Sequence, residues 1–255
     1  MLVLWYVQVR RRDAGVVDVG WAGLLGLSAL LVGLTGEGDP GRRALVGIMG
    51  GMWGLRLAAH LLTDRVWGAH EEDGRYKDLR DRLGPRVNFF HFWFFQAQAV
   101  TVVVLALPFV AACAWNSGPL GPWDYAAAAL WLIALFGESL ADRQLKAFKA
   151  IAANKGRVCR DGLWACSRHP NYFFEWLVWV AYALAVLAAA GPSNPEAYLG
   201  FLAPAVMLLL VLRVTGIPPT EARALRSRPE AYARYQREVS AFIPWFPQRT
   251  TTAQP

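Results

Sequence analysis

Six consecutive residues, Ser167-Arg168-His169-Pro170-Asn171-Tyr172, stand directly before an apolar stretch whose one charged residue is Glu175. Together they put a guanidinium, an imidazole, an amide, a phenol and a carboxylate at the mouth of a hydrophobic helix. A charge within hydrocarbon costs about 2.5–3.5 kcal/mol on insertion scales, so ionisable groups held there point to a function. Upstream lies a basic strip of Lys146, Lys149, Lys155, Arg157 and Arg160. Cations beside a membrane cleft suit an anionic, phosphate-bearing ligand. A bare basic strip also attracts anionic lipid heads. Pro170 turns His169 away from helix and opens the next span. Such a broken start is tolerated at membrane depth where backbone lines a cavity or is buried in protein. It frees N–H groups that favour an anion.

Other polar residues fall within or beside apolar sequence. Glu138 and Asp142 share a helix face with Lys146 and Lys149. Acid before base at that spacing is ordinary helix stabilisation of about 0.2–0.5 kcal/mol per pair, but Glu138 lies inside the hydrophobic boundary. Arg56 and His60 also share one face. They either snorkel to the interface or line a polar pocket, and the short side chain of His60 favours the pocket. The run Phe89-Phe90-His91-Phe92-Trp93-Phe94-Phe95-Gln96 reads first as an aromatic belt, and second as a flat slot for a lipid or sterol. Asp18 and Trp21, about a turn apart, are expected to be interfacial anchors. Gly50 and Gly54 make a small-xxx-small pair for close helix approach.

These residues must be positioned by helices in a bilayer. Of the 255 residues, 55% are in the hydrophobic set, and the mean hydropathy is +0.27. Stretches long enough to cross about 30 Å of hydrocarbon are Val16–Leu34, Ala44–Thr63, Phe89–Ala114, Trp123–Leu140, Tyr172–Ala190 and Tyr198–Val214. The expected fold is all-α: a polytopic transmembrane bundle of six to seven spans, in a single domain over 1–255. Met1–Val9 is apolar but too short to span, and is read as the end of an additional helix; no cleavable signal peptide is seen.

Of the 26 Lys and Arg, 23 fall in alternate loops: 3 at Arg10–Arg12, 6 between Asp64 and Asn88, 7 between Ala141 and Asn171, and 7 from Arg213 onward. The opposite loops carry only Arg42 and Arg43, and the turns around Asn116 and Asn194 carry none. The positive-inside rule then places the C-terminus in the cytoplasm. The charge of +7 is explained this way, with no nucleic-acid partner. The three cysteines form neither a disulfide framework nor a metal set with the four histidines. Gly216–Pro219 stops the last span. The apolar ending Phe242-Ile243-Pro244-Trp245-Phe246-Pro247 is expected to fold back onto the bundle.

One order of motifs carries a resemblance. It comprises Glu138, Asp142, Gln144, Phe148-Lys149, Asn154-Lys155-Gly156-Arg157, Gly162-Leu163-Trp164, Ser167 to Tyr172 and Glu175, then Arg213 to Gly216, Glu221, Tyr232, Tyr235 and Phe242 to Pro247. The set resembles the steroid 5α-reductase superfamily, most closely its bacterial membrane branch. The likeness is strongest from Glu138 to the end, with a cofactor region over 138–247. It implies a seven-helix reductase of the bacterial inner membrane with NADPH in a cytoplasm-facing cavity. Hydride would pass to the carbon–carbon double bond of an enone in a steroid or similar lipid-soluble substrate. Asn171, Glu175, Asp142 and Arg157 match cofactor-contacting positions, with Glu138 alongside, and Lys149 falls where a basic contact is expected. Arg168, His169, Tyr172 and Tyr235 are further expected contacts. No G-x-G-x-x-G follows a strand, so a Rossmann site is excluded.

Two departures stand out. Phe174 occupies a position where the family usually has Gly, and is expected to narrow the pocket or shift the helix. The Glu–Tyr pair that polarises the ketone in mammalian-type reductases is absent from Ala44–Ala114, leaving Arg56, His60 and His91 as candidate donors to the substrate oxygen. The alternative enzyme is an S-adenosylmethionine-dependent methyltransferase similar to isoprenylcysteine carboxyl methyltransferases, which share a His-Pro motif. Against it, Glu221 is followed by Ala222 rather than a second acid. A non-catalytic lipid-binding protein or transporter ranks third, because no internal repeat is present.

Overall fold

The computed structural model describes residues 1–67, 72–115 and 118–248. Glu71 of the charged loop and the turn residue Asn116 lie outside the described residues. Among the described residues, six helices are long and apolar enough to cross a bilayer: Val16–Thr35, Pro40–Asp64, Gly74–Ala114, Pro122–Ala150, Pro170–Ala190 and Pro195–Ser227. Each apolar stretch read from the sequence falls within one of them, and the chain is a polytopic helical membrane bundle. Among the described residues there is no strand, and an isolated bridge pairs Ser167 with Ser240. A shorter helix, α1 (Leu2–Arg11), has 10 residues. At about 1.5 Å per residue it cannot cross hydrocarbon.

The chain forms two compact units, Met1–Ala128 with Tyr182–Ala203, and Ala129–Ala181 with Pro204–Pro255. In the first, α2 (Val16–Thr35) and α3 (Pro40–Leu61) pack backbone against backbone. A Cβ added to Gly54 would lie 2.5 Å from the Gly26 Cα and 2.9 Å from the Ala22 carbonyl oxygen. One added to Gly50 would lie 2.2 Å from the Ala29 Cβ. Lipid tails are as apolar as Leu, so helices in a membrane adhere through such close contact rather than through hydrophobic burial. The Gly50–Gly54 pair is therefore structural, and Gly26 supplies the facing half of the seam.

Both cations of the sparse loops are used to tie helix ends. Arg43 donates to the carbonyls of Gly33 and Leu34 at 3.1 and 2.6 Å, which satisfies acceptors that the end of α2 leaves open. Arg42 binds Asp124 through two hydrogen bonds of 2.7 and 2.9 Å. Both side chains are almost fully buried.

Asp18 and Trp21 differ from the expected interfacial anchors. Asp18 accepts from Arg75 and from the Tyr76 hydroxyl, each at 2.9 Å, and the Trp21 indole donates to Thr101 at 3.1 Å. For Asp18 the cause is α4 (Gly74–Leu83), whose N-cap Asp73 accepts from the Arg75 N–H. That helix folds against the start of α2 and brings donors of its own. In the same place Glu72 accepts from the Ala14 N–H and from two nitrogens of Arg80, all at 2.8 Å. On α5 (Val87–Ala114) the aromatic run divides by face. Phe89, Phe90 and Trp93 are exposed as a belt requires, while His91 and Phe95 point into the packing.

Candidate functional site

The second unit holds every residue expected to contact a cofactor. Its frame is α6 (Pro122–Ala150) against α7 (Pro170–Ala190). Two contacts set their register. The Asn171 amide donates to Asp142 at 3.3 Å, and a Cβ on Gly137 would lie 2.4 Å from the Phe174 ring. Within this antiparallel pairing, Glu138 lies one turn before Asp142 and Glu175 one turn after Asn171. The two glutamates therefore sit at one level, deeper than the Asp142–Asn171 pair. Both are buried, and Glu175 accepts from the Trp179 indole at 3.4 Å. Further out on the same α6 stripe, Lys149 is exposed, as is Arg157 beyond the helix.

Phe174 packs directly against α6. Its ring occupies the space that Gly137 leaves, so a glycine on the neighbouring helix compensates for the one missing here.

A second network holds the start of α7. Glu221, on α9 (Ile217–Ser227), accepts from Arg168 Nε at 2.7 Å, Gln236 Nε2 at 2.7 Å and the Tyr232 hydroxyl at 3.4 Å. His169 Nε2 lies 3.1 Å from the same carboxylate, and its ring stacks on Tyr172 at 5.4 Å between centroids. Arg168 also donates to the carbonyls of Gln236 and Val239 at 3.1 and 2.6 Å. The Tyr235 hydroxyl, on α10 (Pro229–Glu238), donates to the carbonyls of Trp164 and Ser167 at 2.5 and 3.2 Å. Burial pushes the Tyr235 and Tyr232 phenols above their ordinary range, so both remain protonated donors at neutral pH.

Arg168, His169 and Tyr235 turn into the fold and bond to it, and Tyr172 lies 3.4 Å from the Thr220 hydroxyl. The reason is the broken helix start. Pro170 leaves the preceding carbonyls and N–H groups without helical partners, and neighbouring side chains supply them. Glu221 is the hub of this network and was not assigned a role from sequence. The available signal was its setting: it is the one acid between Arg213 and Arg228, among Arg223 and Arg226.

The C-terminal hook closes over the same start, as its apolar composition leads one to expect. The Ser167 hydroxyl donates to the Phe242 carbonyl at 2.8 Å, and the Trp245 N–H to the Cys166 carbonyl at 2.9 Å. Phe242 packs its ring 5.6 Å from Phe173 and 5.9 Å from Trp176.

The three candidate proton donors belong to the first unit. Arg56 and His60 are half-buried on α3. His91 is fully buried, with Nδ1 3.3 Å from the Gln8 side-chain oxygen and its ring edge-on to Tyr76. It is enclosed by packing rather than presented to a ligand. Gln8, itself buried on the short α1, was not singled out in the sequence.

Residues 4–239 match the profile of a family described as a protein of unknown function, DUF1295. The chain belongs to the DUF1295 family. A family-length relative is an uncharacterized protein of Schizosaccharomyces pombe, 26% identical over 266 residues that cover 95% of this chain and 76% of the yeast protein. No solved structure matches.

Proposed function

We propose that this DUF1295 protein is a membrane-embedded, NADPH-dependent reductase that acts on the carbon–carbon double bond of an enone in a steroid or other lipid. The observation that carries this proposal is the order of polar groups along the α6–α7 seam. Its deeper level holds Glu138 and Glu175, its mouth holds Asp142 on Asn171, and its outer end holds Lys149 and Arg157. A phosphorylated dinucleotide has the matching order. Its carboxamide and ribose hydroxyls suit carboxylate and amide partners, and its phosphates suit exposed cations. The residues present thus fit the group, which when bound would supply the hydride.

In this reading Asn171, Asp142, Glu138 and Glu175 bind and orient the reducing end. Lys149 and Arg157 hold the phosphates. Arg168, His169, Tyr172, Tyr235 and Glu221 keep the start of α7 in place and act on the dinucleotide only through that placement. Arg56 or His60 would hydrogen-bond the substrate oxygen as negative charge develops there. The alternation of cations supports an inner-membrane orientation with the cofactor region facing the cytoplasm. The resemblance to steroid 5α-reductases supplies the reaction class.

Ligand binding raises stability by mass action, so the test is the thermal midpoint of detergent-purified protein with NADPH, NADH or S-adenosylmethionine. Stabilisation by NADPH that Asn171→Ala and Arg157→Ala both lose is the expected result. A shift with S-adenosylmethionine alone would replace the reductase with the methyltransferase, since the His169–Glu221 contact involves motifs common to both.

A further inference from the structure

Beside the C-terminal hook is a cavity of about 290 Å³. Arg168, Gln236, Arg237, Glu238, Trp245 and Phe246 contribute to its lining. We infer that this cavity is a headgroup site for one anionic phospholipid, independent of the reductase proposal.

Charge, depth and size all favour that occupant. Glu238 is engaged by Arg160 and Arg234, and Glu221 by Arg168. Arg237 is exposed and has no carboxylate partner among the described residues, so the local balance is positive and a phosphate completes it. The depth follows from α7. Its 21 residues rise about 31 Å, the thickness of the hydrocarbon layer, so its first turn stands at the lipid–water boundary. The hook is bonded to that first turn through Phe242 and Trp245. The cavity therefore lies at headgroup level.

Beside it, Ile243, Trp245 and Phe246 are 59%, 68% and 83% exposed. Water would penalise that apolar surface, whereas the interface favours it. The volume lies at the lower end of small-molecule sites, which suits a phosphoglycerol head and not a whole dinucleotide.

The test is native mass spectrometry of the full chain in maltoside micelles, titrated with phosphatidylglycerol or phosphatidylcholine. One phosphatidylglycerol should stay bound per chain, and phosphatidylcholine should not. Arg237→Gln should weaken retention about fivefold, the effect of one surface cation on anionic lipid. Trp245→Ala should weaken it as well, and the thermal midpoints of both variants in lipid-free detergent show whether the fold is intact. Equal retention of the two lipids, or undiminished retention by a folded Arg237→Gln variant, would overturn the inference. Displacement by millimolar inorganic phosphate would make this a soluble-phosphate site instead. Displacement by NADPH would assign the cavity to the cofactor.

Discussion

At the residue scale, a charge in apolar sequence can be a ligand or a staple, and its type does not say which. Arg42 and Arg168 are both arginines beside membrane spans, and both are bonded to carboxylates of the same chain. For Arg42 the consequence is measurable. Removing one partner of a buried ion pair leaves the other charge uncompensated, at a cost of about 3–5 kcal/mol, whereas apolar replacement of both is often close to neutral. Arg42→Met alone should lower the thermal midpoint in detergent sharply, and Arg42→Met with Asp124→Leu should recover most of the loss. Recovery will be incomplete, because Asp124 also accepts from the Gly121 N–H at 2.9 Å. A double variant no more stable than the single one would show that the pair is not the source of the loss.

At the element scale, helix pairs are set by where backbones can meet. The α2–α3 seam was visible in Gly50 and Gly54, since small-xxx-small is a local pattern. The α6–α7 seam was not, because Gly137 and Phe174 are distant in sequence and no local pattern pairs them. Their contact predicts a coupled effect. Gly137→Ala puts a methyl group into the Phe174 ring, and overpacking of this kind costs about 1–3 kcal/mol. Gly137→Ala should destabilise the protein and weaken stabilisation by NADPH, and adding Phe174→Ala should restore both. Independent, additive losses in the two thermal-shift series would separate the helix register from the proposed cofactor site.

At the scale of the whole molecule, acid should loosen the end of the first unit at which α4 docks. Burial acts to raise the Glu72 carboxyl, but hydrogen bonds from Arg80 and the Ala14 N–H outweigh it, and the group titrates below its ordinary value. A carboxyl depressed in the folded state adds stability above the unfolded value of about 4.3, and that stability is lost as pH falls through the folded value. Wild type should exceed Glu72→Gln in thermal midpoint at pH 7, and the gap should close below about pH 4. A gap that stays constant with pH would show that Glu72 acts through packing alone.

The sequence by itself determined the membrane class, the six spans, the alternation of cations and the fold-back of the hook. Each depends on composition over a stretch of chain, and partition into lipid responds to that average. The tertiary structure alone decided which polar groups meet. Asn171 reaches Asp142, Arg168 and His169 reach Glu221, and Asp18 reaches Arg75, across separations of 29 to 57 residues. A buried donor or acceptor costs about 1–3 kcal/mol when unpaired, so each takes whichever partner the packing brings within 3 Å or so. That choice belongs to helix register, which local periodicity does not encode.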